Sequence, residues 1–106
     1  MKPPVAAGLA GSWYGFYRNG REVMLNIEQV EGDRVVASYL LGSGLMAQER
    51  AESSRREGSF AGGELVFDEP ALNQLRFRLR PDGALAGSWQ ARDGSATLDT
   101  VLRRMP

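Results

Sequence analysis

The 106-residue chain contains no cysteine and no histidine. Without cysteine there is no disulfide framework, no zinc–thiolate or iron–sulfur ligation and no thiol nucleophile. Without histidine the commonest general base and the commonest haem ligand are also missing. No run of 18 apolar residues occurs, so no membrane-spanning helix is expected. Charge of one sign is lacking too: 13 basic and 13 acidic residues cancel. No global field therefore draws the protein to nucleic acid or to an anionic membrane. Metal sites and cofactors are not expected.

What remains is a small domain with 42% apolar residues, 13 glycines and 5 prolines. The basic side is 12 arginines to a single lysine, a compositional bias rather than a chemistry. Residues 1–10 carry one positive charge and no apolar block long enough for a signal peptide. The expectation is a flexible tail over 1–10 and one folded domain over 11–104. The location expected is the cytoplasm, or the periplasm or exterior if an export signal has been removed.

Turn signals recur at short intervals, and each separates two segments of alternating apolar residues, the pattern of an antiparallel meander. Gly11 to Tyr17 is followed by Asn19-Gly20, which predicts a two-residue type I′ hairpin. In Arg21 to Val30, Val23, Leu25 and Ile27 share a face. After Gly32-Asp33 comes Arg34 to Leu41, with Val35, Ala37, Tyr39 and Leu41 on one side. Residues 42–52 read as a loop with one helical turn. Ser53 to Ala61 and Glu64 to Asp68 form a hairpin about Gly62-Gly63. Leu75, Phe77 and Leu79 alternate with Arg76, Arg78 and Arg80; Ala84 to Ala91 and Ser95 to Arg103 complete the series. Eight short strands with short connections predict an all-β, eight-stranded antiparallel up-and-down barrel, since closure removes both edges. A two-layer β-sandwich is the alternative.

Gly11-Ser12-Trp13-Tyr14-Gly15 opens strand one and Arg103-Arg104 ends strand eight. In a closed barrel these strands are neighbours, and one arginine can cover the Trp13 indole and shut one end. Here the chain resembles the calycin-like barrels: lipocalins, fatty-acid-binding proteins and avidins share a Gly-x-Trp in the first strand and a basic residue over it from the last. The runs Leu9-Ala10-Gly11-Ser12-Trp13, Val35-Val36-Ala37-Ser38-Tyr39 and Leu75 to Leu85 are similar to small bacterial calycin-like modules of unassigned role. The resemblance implies a non-catalytic module that binds a partner protein or a small apolar ligand. Avidins place an asparagine two residues after the tryptophan, where this chain has Gly15, so biotin is not expected. A barrel this short should be largely filled by side chains such as Val23, Leu25, Phe67, Phe77, Leu79, Trp89 and Leu98.

Three readings stay open. One is the binding module, whose ligand would meet Tyr17, Tyr39 and Trp89. Another is a barrel that inhibits a metalloprotease by inserting its N-terminal tail. The last is a small barrel enzyme in which Tyr39 works with Tyr17 and with Arg55 or Glu57, if strand four turns those residues inward. Arg76, Arg78 and Arg80, joined by Arg55 and Arg56, form an outward stripe that reads either as cross-strand ion pairs or as a surface for a partner protein or domain.

Overall fold

Alternation of apolar and polar residues becomes eight strands in the computed structural model, which describes residues 6–42, 51–69, 73–91, 93–94 and 96–105. They are β1 (Gly11–Phe16), β2 (Glu22–Glu31), β3 (Arg34–Leu41), β4 (Glu52–Ala61), β5 (Glu64–Glu69), β6 (Asn73–Leu79), β7 (Leu85–Ala91) and β8 (Thr97–Arg104). Each pairs antiparallel with the next, and β8 returns to β1 through Trp13↔Arg104 and Tyr14↔Arg103. The sheet is a closed barrel rather than two layers. Among the described residues there is no α-helix.

The turns follow their glycines, with one correction. Gly62 and Gly63 both have positive φ, +60° and +79°, as a type I′ turn between the paired Ala61 and Glu64 requires. Asn19-Gly20 does not form that turn, because no residue other than glycine has positive φ among the described residues. The Gly20 N–H instead donates to the Tyr17 carbonyl (2.8 Å), and the Tyr17 N–H to the Arg21 carbonyl (2.8 Å). The loop is thus three residues long, a turn closed by a left-handed glycine. Its extra residue projects Asn19 and Arg21 over the barrel mouth. Residues 43–50 of the expected 42–52 loop lie outside the described residues.

The core sits between the two ends of the barrel. Val23, Leu25, Val35, Leu65, Phe67, Leu75, Phe77, Leu85 and Leu102 are fully buried, and Phe67 and Phe77 meet edge to face at 6.3 Å. Three strand glycines, Gly15, Gly58 and Gly87, lie where a Cβ would collide with a neighbour. They mark the places where strands and rings approach most closely.

The end formed by the start of β1 and the end of β8 is sealed. Trp13, 1% exposed, donates its indole N–H to the Leu9 carbonyl (2.9 Å). The Arg104 guanidinium lies 4.3 Å above the indole and donates to the carbonyls of Ala10 (2.7 Å) and Gly8 (2.6 Å). Arg103, the next residue along the strand, points outward toward Asp82 at 3.9 Å. These contacts correct the expected ten-residue flexible tail: Ala6–Leu9 is a short 3-10 helix, Leu9 is buried, and residues 6–10 are fastened across the barrel bottom. Residues 1–5 lie outside the described residues.

Candidate functional site

Opposite the seal, the barrel is open. The end of β1 and of β3, the start of β4 and β6, and the paired ends of β7 and β8 surround a cavity of about 590 Å³, within the ordinary range for small-molecule pockets. The interior is therefore less completely filled than the sequence led us to expect. Leu41, Trp89 and Leu98 are only partly buried and form its apolar walls.

Tyr17 and Tyr39 form the floor. Tyr17 comes from the β1 hairpin, where it bridges Thr100, and Tyr39 comes from the inward face of β3. Their hydroxyls are 2.5 Å apart, and both rings are 3% exposed. Burial pushes the Tyr17 phenol far above its ordinary value, and the Tyr39 phenoxide it would face adds to the rise. Burial also pushes Tyr39 up, to about 12, while the hydrogen bond from Tyr17 and the nearby arginines oppose the rise. Both are neutral hydroxyls at pH 7. Within the pair one hydroxyl donates to the other, which leaves one proton to give elsewhere.

Beside the phenols lies a buried arginine. The register of β4 places Tyr39 opposite Ser54 and Ala37 opposite Arg56, so Ser54, Arg56, Gly58 and Phe60 face inward. This corrects the expectation that Arg55 or Glu57 would accompany Tyr39. Arg55 is outside and pairs with Glu28 (3.5 Å), and Glu57 is outside and pairs with Arg34. Arg56 is 5% exposed, with its guanidinium carbon 5.4 Å from the Tyr39 ring centre. Its Nε donates to Ser54 Oγ (3.0 Å) and its Nη1 to Asn73 Oδ1 (2.8 Å). Among the described residues it has no carboxylate partner. Burying an unpaired charge is costly, and neutral hydrogen-bond partners offset only part of that cost.

At the mouth, Arg21 and Glu52 form an ion pair. Arg21 donates through Nε to the Gly42 carbonyl (3.0 Å), and its Nη2 lies 3.5 Å from Glu52 at the rim. Among the described residues the charged members of the cavity lining are Arg21, Glu52 and Arg56, which sum to +1.

The structure brings Tyr17, Tyr39 and Trp89 to one cavity, and it places Gly11, Trp13 and Arg104 together at the opposite end. Gly11 belongs there for a steric reason: its φ is +119°, and a Cβ would lie 3.1 Å from Arg104 Nη1. Arg76, Arg78 and Arg80 face outward but are not a bare cationic stripe. Arg76 (2.8 Å) and Arg78 (3.1 Å) share Glu64, and Arg80 pairs with Asp82 (2.9 Å). Arg56, counted with them from the sequence, is on the opposite side of the sheet.

Arg56 and Asn73 are the site residues that sequence reasoning missed, although a signal was present. Counting back by twos from Phe60 gives 58, 56 and 54, and counting back from Leu75 gives 73.

The phenols give the site a pH signature. A phenol whose pKa is raised on folding contributes stability that is fully present below the unfolded value of about 10 and is lost as pH climbs through the folded values. The expected result is no tyrosinate absorbance from Tyr17 or Tyr39 until about pH 12, appearing together with loss of near-ultraviolet dichroism. Two phenols ionising near pH 10 in a still-folded protein would contradict the buried pair.

No known family model matches the chain, and no curated protein is significantly similar to it in sequence.

Proposed function

We propose that the protein is a non-catalytic binding module of the calycin-like type, with a small ligand seated in the open end of the barrel. The observation that carries this reading is the asymmetry of the ends. One is plugged by Leu9, Trp13 and Arg104, and the other is a 590 Å³ cavity with apolar walls and a few convergent polar groups. The Gly-x-Trp opening and the arginine over the indole support the calycin-like assignment. Fold resemblance alone does not dictate function, so the reading rests on the cavity.

The other two classes fit less well. Residues 6–10 are held to the barrel by Trp13 and Arg104, so they are not free to enter a protease cleft. A catalytic reading needs a base, and the one carboxylate among the described lining residues, Glu52, is at the rim beside Arg21 while both phenols are held neutral.

The test is nuclear magnetic resonance mapping of the protein titrated with a mixed panel of small alkyl and aryl compounds, neutral and charged. Shifts confined to Tyr39, Ser54, Trp89 and Leu98 are expected. Shifts confined to the outer face of Arg76 and Arg78, or no binding by any compound, would overturn the reading.

A further inference from the structure

Arg56 keeps one hydrogen-bonding face unused. Among the described residues, every buried side-chain nitrogen or oxygen has a partner. Arg56 bonds through Nε and Nη1 only. Its Nη2 therefore reaches the cavity that the residue lines. The side chain is 95% buried and charged, and its Nη2 edge is the part that remains accessible, at the cavity.

The neighbours extend that edge into a nest of donors. Ser54 Oγ accepts from Arg56 and retains its own proton, and Asn73 Oδ1 accepts from Arg56 and leaves its amide N–H groups available. The tyrosine pair has one proton beyond the bond it makes internally. A guanidinium, a hydroxyl, an amide and a phenol thus present protons to one small volume. A donor-rich, partly enclosed site whose described lining sums to +1 is complementary to a single oxyanion. Leu41, Trp89 and Leu98 provide the apolar enclosure for whatever carries that group.

Resting on the binding-module reading above, we infer that the open-end cavity takes a monocarboxylate with an apolar body, its carboxylate seated on Arg56 Nη2 and the tyrosine pair. The single positive charge left over among the described lining residues favours a monoanion over a doubly charged phosphate group. The ligand completes the arginine's electrostatic balance rather than adding a charge to a neutral site.

The experiment uses matched probes on the intact protein: phenylbutyrate and octanoate, their primary amides, and phenylbutylphosphonate as a dianion, titrated while the Arg56 Nε–Hε resonance is followed. Each carboxylate should bind at least about tenfold more tightly than its amide and shift the Arg56 resonance, which the amide should leave nearly unmoved. Arg56→Met should abolish the tenfold preference, and Arg56→Lys should restore part of it. If these variants fail to fold, the resonance of the wild-type protein decides alone. Equal affinity for carboxylate and amide would overturn the carboxylate inference while leaving the binding module standing. Tighter binding of the phosphonate would overturn the assignment to monoanions. Failure of all the probes to bind would overturn both this inference and the reading it rests on.

Discussion

Replacing Trp13 with alanine is expected to cost about 3–5 kcal/mol, by loss of transfer free energy and by the cavity left behind. Trp13 is fully buried, donates to the Leu9 carbonyl and supports the guanidinium above it, so several contacts fail at once. For a small domain that is a large part of the total stability. Arg104→Ala should cost less, about 0.5–2 kcal/mol, and part of that loss should disappear when Trp13 is already alanine. The part that persists belongs to the hydrogen bonds to the Gly8 and Ala10 carbonyls, which do not need the indole. Arg103→Ala should be additive with Trp13→Ala and within about 0.5 kcal/mol of neutral, as for an exposed strand residue. A double-mutant cycle in denaturant checks all three expectations. Additive losses for both arginines would mean that neither touches the ring.

The second large effect comes from adding a single methyl group to the barrel wall. A Cβ at Gly58 would meet the Val66 carbonyl oxygen inside any allowed contact and lie 2.7 Å from Phe67 Cδ1. Phe67 is fully buried and the Val66 oxygen is backbone, so neither yields without moving a strand. Gly58→Ala should therefore cost about 1–3 kcal/mol, toward the upper end of ordinary overpacking. Gly87→Ala should behave similarly, because its Cβ would come within 2.5 Å of the buried Phe77 ring. Gly8→Ala is the control, since nothing lies within 4 Å of a Cβ there. It should be within about 0.5 kcal/mol of neutral. Equal costs at Gly58 and Gly8, from equilibrium unfolding of each variant, would show that the close approach of β4 to β5 is not real.

Strands whose inward face is apolar could be read from the chain with their faces correctly assigned. Val23-Leu25-Ile27 and Leu75-Phe77-Leu79 each declare a period of two, and the turn residues between them limit where a strand can end. The barrel followed from their number and short spacing. Strand β4 was harder, because Ser53 to Ser59 contains no apolar side chain and hydrophobic periodicity has nothing to act on. Its register is instead set by Phe60 and by the tight turn at Gly62-Gly63. A buried charge is invisible to a rule that places charges outside, and for that reason Arg56 was grouped with the outer arginines. The fastening of residues 6–10 was also hidden, since it depends on carbonyl groups that every residue has and on an arginine 94 or more positions away in the chain.

The two tryptophans report on the two ends of the barrel, and their fluorescence tests the central claim that one end is sealed and the other receives a ligand. Trp89 lines the open cavity and Trp13 lies beneath Arg104 at the seal. Saturation with phenylbutyrate should change the emission of the wild-type protein, and the change should be lost in Trp89→Phe, whose remaining emitter is Trp13. A ligand-induced change that survives in Trp89→Phe, at unaltered affinity, would place the binding site elsewhere and contradict the account.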